Sequence, residues 1–278
     1  MVEVTASSGL LSKTKVHVDD TGGTGRPVVL IHGWPLSAES WGAQTAPRRD
    51  AGYRVVAYDR RGFGRSDKPS KGFDYDTLAD DLDGVLSELE LTDVTLVGFS
   101  MGGGEVARYV AKHGQERLRS VVFAAAVTPY MLQSEDNPDG PLTEDAAAEM
   151  AKGVESDRTT FFDGFTQTFF SVDGELKISE GQRQEAIALC HQSDQTATLA
   201  CLEAFGTTDF RDDLAAVTVP TLVIHGDSDG IVPFEGSGHR THEALPHSEL
   251  VVVEGAPHGF NLSHAAEFNR ALIDFLGR

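Results

Sequence analysis

The stretch Val94–Glu105 constrains the fold of this chain more than any other. Its first four residues are typical of a buried strand, and Glu105–His113 favours a helix. Between them lies the pattern Gly-x-Ser-x-Gly, formed by Gly98, Ser100 and Gly102. A sharp strand-to-helix turn holds its serine in strained backbone and leaves no room for side chains at the two glycines. The stretch predicts a strand, a sharp turn and a helix, with Ser100 at the tip beside the free N–H groups of the helix.

The bulk composition is that of one large globular α/β domain, or of a core with a lid. The chain has 278 residues, of which 40% are hydrophobic and 24% charged, and this is ample for a buried core. Its formal net charge of −20 argues against nucleic acid and anionic membranes as partners. No apolar run approaches the roughly 20 residues that span a bilayer, and no secretory signal is visible. With Cys190 and Cys201 as the two cysteines, a reduced, cytoplasmic setting is expected.

Short apolar runs alternate with helical segments along most of the chain. The predicted strands are Val28–Ile31, Arg54–Tyr58, Val94–Gly98, Ser120–Ala125, Thr221–His225 and Glu249–Val253, with Lys13–Asp19 as an antiparallel edge strand. The predicted helices are Glu39–Ala51 (kinked or broken at Pro47), Tyr75–Glu90, Gly104–His113, Gly236–Leu245 and Ser263–Leu276. This alternation predicts an α/β fold, with a mostly parallel sheet covered by helices on both faces. Ligands of such sheets bind beyond the carboxyl ends of the strands.

The alternation stops between Ala126 and about Asp213, where no strand is predicted. Four helices are predicted there instead: Glu144–Val154, Arg158–Phe169, Glu180–Cys190 and Thr196–Phe205. The interval begins with the turn-rich stretch Gln133–Pro141 and carries a surplus of phenylalanines: Phe161, Phe162, Phe165, Phe169, Phe170 and Phe205. We interpret it as an inserted helical lid, so that residues 1–128 and 211–278 form the core and residues 129–210 the lid. Most of these rings should pack within the lid, with one or two facing a pocket.

A bare Gly-x-Ser-x-Gly arises often by chance, so Ser100 needs a base and an acid elsewhere in the chain. His258 is the best base, because it follows the last predicted strand and therefore lies at the same sheet edge as Ser100. Two other histidines, His32 and His225, each precede a glycine at a strand end, and we expect them to brace loops. The remaining histidines lie in helical or polar contexts or on the edge strand.

The acid should also leave the carboxyl end of a strand, and two carboxylates after Thr221–Ile224 compete for the role. Asp227 fits a turn residue that bonds its own backbone, whereas Asp229 lies at the far side of the same loop. Their spacing alone does not separate them.

An oxyanion hole needs two N–H donors near the serine. One should come from Met101, directly after Ser100. The other should come from the loop after Val28–Ile31, where Pro35 has no N–H and Trp34 is the natural candidate.

The sequence predicts neither a cofactor nor a metal. Gly22–Gly25 lacks the Lys-Ser/Thr of a phosphate loop, and Gly62–Gly64 lacks the third glycine of a dinucleotide site. His239 and His242 are three residues apart, but no third metal ligand accompanies them.

Along its whole length the chain resembles the α/β-hydrolases, and specifically their branch of cofactor-free haloperoxidases (perhydrolases) and esterases. The motifs that carry the resemblance are His32–Leu36, Tyr58–Ser66, Gly98–Glu105, Pro220–Asp227 with Asp229 and Val232-Pro233, and Ala256–Gly259. Bacterial γ-lactamases look similar too, including around Asp136–Gly140. The resemblance implies the chain order Ser100, Asp229, His258 for the triad, since the family uses the second aspartate of Gly-Asp-x-Asp. It also implies Trp34 and Met101 as oxyanion donors and a homo-oligomer, often a trimer or larger.

The expected function is hydrolysis of small carboxylic esters through an acyl-serine, with perhydrolase activity when hydrogen peroxide replaces water. The partners would then be an ester, or hydrogen peroxide with a short carboxylic acid. A γ-lactam substrate remains an alternative, because its hydrolysis needs the same triad. A non-catalytic scaffold of this fold is a remote alternative. By resemblance to the perhydrolases, Pro35 is expected to position the Trp34 carbonyl for a hydrogen bond from peroxide.

Overall fold

The computed structural model describes the backbone of residues 2–8 and 12–278. Its strands are β1 (Val2–Ser8), β2 (Ser12–Asp20), β3 (Pro27–Ile31), β4 (Arg54–Tyr58), β5 (Val94–Phe99), β6 (Leu118–Ala124), β7 (Ser171–Val172), β8 (Glu175–Leu176), β9 (Thr221–Gly226) and β10 (Glu249–Val253). Its α-helices are α1 (Gly42–Asp50), α2 (Tyr75–Glu88), α3 (Met101–His113), α4 (Glu144–Ser156), α5 (Arg158–Phe169), α6 (Glu180–His191), α7 (Gln195–Thr207), α8 (Arg211–Ala215), α9 (Gly238–Ala244), α10 (Phe260–Ser263) and α11 (Ala265–Leu276). A 3-10 turn, Ala38–Trp41, precedes α1. No described helix combines the length and apolarity needed to cross a membrane.

An eight-stranded sheet in the order β1-β2-β4-β3-β5-β6-β9-β10 forms the centre of the molecule. The first two strands pair antiparallel, as do β2 and β4, and the other neighbours are parallel. Strands β5 and β9 are buried along their whole length, because helices cover both faces of the sheet. The predicted α/β class with a mostly parallel sheet is confirmed. Its parallel strands β3, β5, β9 and β10 all end at one edge, so the loops that follow them converge there.

Two predicted helices differ from the observed ones in how they are divided, and one strand was not predicted. Pro47 lies inside α1 without breaking it, and the break comes earlier, where the carboxylate of Asp59 accepts the Ala38 N–H and starts a separate 3-10 turn. The predicted helix Ser263–Leu276 begins at Ala265, because His264 leaves the helical region at φ −120° and ψ 44° and separates it from the short helix α10. Strand β1 was not predicted, although it pairs with β2 over its full length.

Helices α4 to α7 lie between β6 and β9, where the lid is predicted. The expectation of no strand in this interval was wrong, because β7 and β8 form a two-stranded hairpin there. Asp173 and Gly174 form its turn with φ values of 52° and 79°, which is the left-handed geometry that a two-residue Asp-Gly loop adopts. The division into a core and a lid domain at residues 129–210 stays a prediction.

Candidate active site

Ser100 occupies the sharp turn between β5 and α3, in left-handed backbone with φ 54°. A side chain at Gly98 would collide with the Gly102 carbonyl, and one at Gly102 would collide with the Ile31 carbonyl. Two hydrogen bonds fix the turn to β6 and to the loop that follows it. The Ser100 N–H donates to Ala124 O at 2.9 Å, and the Ser100 carbonyl accepts from Val127 N–H at 3.2 Å. The sequence therefore dictates this geometry through its glycines.

The loop after β10 carries His258 onto Ser100. The distance from His258 Nε2 to Ser100 Oγ is 3.0 Å, and the distance from His258 Nδ1 to Asp229 Oδ2 is 2.6 Å. Two phenylalanines hold the imidazole in place, with ring centroids 5.1 Å away for Phe99 and 4.8 Å away for Phe169. The ring is almost fully buried, so the chain of hydrogen bonds is shielded from bulk water. The histidine that was predicted as base thus contacts both the serine and a carboxylate.

Asp229 is the carboxylate that meets His258, and Asp227 is not. The second oxygen of Asp229, Oδ1, accepts the N–H groups of Ile231 at 2.9 Å and Val232 at 2.8 Å. Asp227 is exposed, and its Oδ1 accepts the Gly255 N–H at 2.8 Å, which fastens a neighbouring turn. The two aspartates therefore have separate roles, which their spacing in the sequence left open.

The environment of Asp229 keeps its carboxylate ionised. Burial by itself would raise the pKa of Asp229, but the charge of His258 and the hydrogen bonds from His225 and His258 outweigh it. The net result is a pKa well below the usual range of an aspartate. An ionised carboxylate beside His258 can hold the imidazole in one tautomer and stabilise its protonated form.

The loop after β3 lies against the nucleophile. A Cβ added at Gly33 would be 3.1 Å from Ser100 Cβ, so the backbone of this loop passes directly over the serine. Trp34 follows, and its indole N–H donates to Thr198 O on α7 at 2.9 Å. Met101 is the first residue of α3, where a backbone N–H has no acceptor within the helix. Trp34 lines the same cavity as Ser100, and Met101 directly follows Ser100 in the chain; their roles as oxyanion donors stay predictions. Pro35 is buried next to Trp34.

Buried polar and charged side chains also hold the loop after β3 in place. The ring of His32 bridges the loops after β3 and β4, donating from Nδ1 to Gly33 O at 2.8 Å and accepting the Arg60 N–H at 3.0 Å. Burial, with the Arg60 guanidinium beside it, holds the pKa of His32 well below its usual range, so the ring is neutral. Arg60 forms a buried ion pair with Glu105 of α3, which also accepts the Tyr58 hydroxyl at 2.6 Å. These groups fasten loops, as the sequence predicted for His32.

A cavity of about 130 Å³ opens beside Ser100 and His258. Its other lining residues are largely apolar: Trp34, Val127, Met131, Leu142, Met150, Phe165, Phe205, Gly230, Ile231 and Val232. Helices α4, α5 and α7 contribute Met150, Phe165 and Phe205 respectively, so two of the predicted aromatic rings face the pocket. Among the described residues, no group of three or more His, Cys, Asp or Glu side chains is arranged to hold a metal ion.

The sequence missed one residue of this site, His225. It was expected only to brace a loop, and its Nε2 does lie 2.8 Å from Val232 O. The same nitrogen also lies 3.2 Å from Asp229 Oδ2. Its position at the end of β9, four residues before Asp229, was the available signal, but the sequence does not show that the loop folds back on the ring.

Comparison with known proteins identifies the family. The family model described as alpha/beta hydrolase fold matches residues 26–265. The chain belongs to the α/β-hydrolase family. A non-heme chloroperoxidase of Kitasatospora aureofaciens is 42% identical to this hydrolase over 259 residues, which cover 92% of this chain and 94% of that protein.

Two further relatives support the same branch of the family. A bifunctional esterase/perhydrolase of Acinetobacter calcoaceticus is 35% identical over 260 residues, covering 92% of this chain and 94% of that protein. The crystal structure of a bromoperoxidase from Bacillus anthracis superposes with a TM-score of 0.96 at 48% identity, covering 100% of this chain and 99% of that one. This hydrolase therefore belongs to the branch that contains non-heme haloperoxidases and esterases, as its motifs predicted.

Proposed function

We propose that the protein is a serine hydrolase that acts on small carboxylic esters through an acyl-serine, and that hydrogen peroxide can replace water in the second step. The observation that carries this proposal is the continuous chain of hydrogen bonds from Ser100 through His258 to Asp229, at the wall of an apolar cavity. A hydroxyl, a base and an orienting carboxylate in this order are what nucleophilic catalysis by serine requires.

In the first half-reaction, Ser100 Oγ attacks the ester carbonyl while His258 Nε2 takes the hydroxyl proton. Asp229 stabilises the imidazolium that forms. The N–H groups of Trp34 and Met101 donate to the tetrahedral oxyanion, and the loss of one such donor typically costs about 3 kcal/mol of barrier. Collapse of this intermediate expels the alkoxide, which takes the proton from His258, and leaves an acyl-serine.

In the second half-reaction, His258 takes a proton from water or hydrogen peroxide as it attacks the acyl carbon. The bond to Ser100 Oγ then breaks, and Oγ regains the proton from His258. Water gives a carboxylic acid, and hydrogen peroxide gives a peracid. The peracid can then oxidise halide outside the site. Pro35 bears on this choice, because it fixes its own φ and restricts Trp34 before it. In this proposal the Trp34 carbonyl accepts a hydrogen bond from the attacking peroxide. The relative in Acinetobacter calcoaceticus, named an esterase/perhydrolase, supports the pairing of the two activities.

One assay panel tests the proposed function. Wild type, Ser100→Ala and Ser70→Ala are compared on short-chain aryl esters, on a γ-lactam, and on acetate with hydrogen peroxide and halide. We expect ester hydrolysis and peroxide-dependent halogenation in wild type, loss of both in Ser100→Ala, and full activity in Ser70→Ala, since Ser70 is exposed away from the site. Turnover of the lactam alone would replace the ester with an amide as substrate.

Labelling separates an enzyme from a non-catalytic scaffold of the same fold. A fluorophosphonate reacts with an activated serine, so we expect stoichiometric labelling of wild type at Ser100 and none of Ser100→Ala. A protein that folds normally but does not label would contradict the proposed mechanism.

A Pro35→Leu variant tests the peroxide step separately. We expect its ratio of perhydrolysis to hydrolysis to fall, because the Trp34 carbonyl is no longer held in place. An unchanged ratio would remove Pro35 from the proposal while leaving the triad intact.

A cytoplasmic location and assembly into a trimer or larger homo-oligomer remain proposals from the sequence. Light scattering measures the oligomeric state.

A further inference from the structure

A second imidazole touches the carboxylate that orients His258. Asp229 Oδ2 lies 2.6 Å from His258 Nδ1 and 3.2 Å from His225 Nε2. Both His225 and Asp229 have fully buried side chains. One carboxylate oxygen is thus shared by two histidines, of which only His258 reaches Ser100.

The neighbours of His225 define which ring nitrogen carries a proton. Its Nε2 donates to Val232 O at 2.8 Å, so this nitrogen carries a proton, and the same nitrogen lies 3.2 Å from the carboxylate oxygen Asp229 Oδ2. Its Nδ1 is buried, and no hydrogen-bond partner for it exists among the described residues. A proton on Nδ1 would leave an unsatisfied buried N–H, which is costly. The ring proton is therefore on Nε2.

The remaining surroundings of the ring are apolar or small. Gly238 of α9 packs against the Nδ1 edge, where any side chain would collide with the imidazole. Phe234 meets the ring edge-on at 5.7 Å between centroids. The nearby His239 contacts Phe234 instead and pairs with exposed Glu235 at 3.3 Å. The ionised group that His225 faces is therefore Asp229.

We propose that His225 is a positioning residue of the triad, which holds Asp229 Oδ2 toward His258 and withdraws part of the carboxylate charge from it. The partly positive Nε2–H group lies beside an oxygen, with 3.2 Å between Nε2 and Asp229 Oδ2, that also faces His258. Removing this donor would leave more negative charge on the oxygen, which would stabilise the protonated form of His258. A mere loop brace, acting only through Val232 O, would have no such effect. This inference rests on the proposed function of Ser100 and His258.

Two substitutions separate these roles. His225→Phe retains a ring of similar shape and removes the donor, whereas His225→Gln retains an N–H donor. His247→Gln is the control, because His247 is exposed on the surface. We expect His225→Phe to move the acid limb of the pH profile of kcat/KM upward by about half a unit to one unit, and His225→Gln to restore it toward wild type. The control should match wild type.

The outcome that overturns the proposal is a His225→Phe enzyme with reduced kcat and an unmoved acid limb. Circular dichroism establishes that each variant is folded, and His225→Leu serves as a second donor-free variant if His225→Phe unfolds. The proton NMR signal of His258 Nδ1–H, assigned through His258→Gln, provides a readout without turnover. If wild type hydrolyses no ester, the proposed function fails, and the pH at which this signal titrates in wild type and His225→Phe still decides the role of His225.

Discussion

Ser100 is held in a backbone conformation that residues with side chains rarely adopt. Its φ of 54° costs of order 1–2 kcal/mol for an L-residue. The strain persists because hydrogen bonds to Ala124 and Val127 and the close approach of Ile31 leave the turn no alternative. The result is a hydroxyl fixed 3.0 Å from His258 Nε2 without any need for substrate to order it.

A substitution of Gly102 in this turn by alanine should destabilise the protein, whereas the same substitution of Gly164 in α5 should not. Gly102→Ala places a Cβ against the carbonyl oxygen of Ile31, which is backbone and cannot move aside. We expect a loss of about 2 kcal/mol or more in the free energy of unfolding, measured by urea denaturation. The control is Gly164→Ala in α5, where a Cβ meets nothing within 4 Å. It should stabilise the protein by about 0.5–1 kcal/mol, and equal effects of the two substitutions would contradict this account.

The two aspartates of the loop after β9 should differ sharply in their effect on catalysis. Asp229→Asn replaces the acceptor for His258 Nδ1 with a group that can present a donor, which favours the wrong imidazole tautomer. We expect kcat for ester hydrolysis to fall by roughly 10⁴-fold. Asp227→Asn retains an acceptor for Gly255 N–H and should leave kcat close to wild type. Similar losses in both variants would mean that the loop, rather than the carboxylate, is what matters.

At the scale of the elements, three lid helices close the cavity and so limit the acyl group. A cavity of about 130 Å³ is close in volume to one that holds a single benzene molecule. Acetate and butyrate esters should therefore react faster than octanoate esters. Met150→Ala shortens a side chain that α4 contributes to the lining, and we expect it to raise kcat/KM for the octanoate ester relative to acetate. The control is Lys152→Ala, an exposed position on the same helix. An unchanged chain-length profile in Met150→Ala would show that acyl groups bind elsewhere.

The order and type of the main elements could be predicted because each follows from a local pattern. Buried parallel strands are nearly continuous apolar runs, and the elbow needs glycines at fixed positions. Strand β1 has no such run, and its pairing with β2 decides its structure. The β7–β8 hairpin rests on two residues in each strand, although its Asp173-Gly174 turn was a recognisable signal.

The sequence predicted which loops form the candidate site, because the loops that follow parallel strands lie at the same edge of the sheet. The residues alone did not predict whether Asp227 or Asp229 contacts His258, because that depends on how the loop after β9 turns. Only the resemblance to a family favoured Asp229 beforehand. The contact between His225 and Asp229 depends on the same turn, and no sequence pattern announces it.

At the scale of the whole molecule, hydrogen bonds and close contacts join the predicted lid to the core. The indole of Trp34 donates to Thr198 O at 2.9 Å, and the Asp194 N–H donates to Gly62 O at 2.7 Å. A side chain at Gly62 would collide with Ala197 of α7, so the two parts are in close contact there. Opening the lid would break these links and expose the aromatic rings around Trp34 to water. We therefore expect the lid and the core to unfold together, even if they are separate domains by topology.

The two cysteines test this cooperativity. Cys190 in α6 and Cys201 in α7 are fully buried, and burial raises the pKa of each thiol to about 12. At pH 8 only roughly one thiol in ten thousand is then the reactive thiolate, so native protein should resist thiol reagents. In rising urea, both thiols should become reactive at the concentration where far-ultraviolet circular dichroism reports unfolding of the core. Cys190→Ala and Cys201→Ala report each thiol separately, and fully denatured wild type should react at both. A Cys201 that reacts well before the core transition would show that the lid opens as an independent unit.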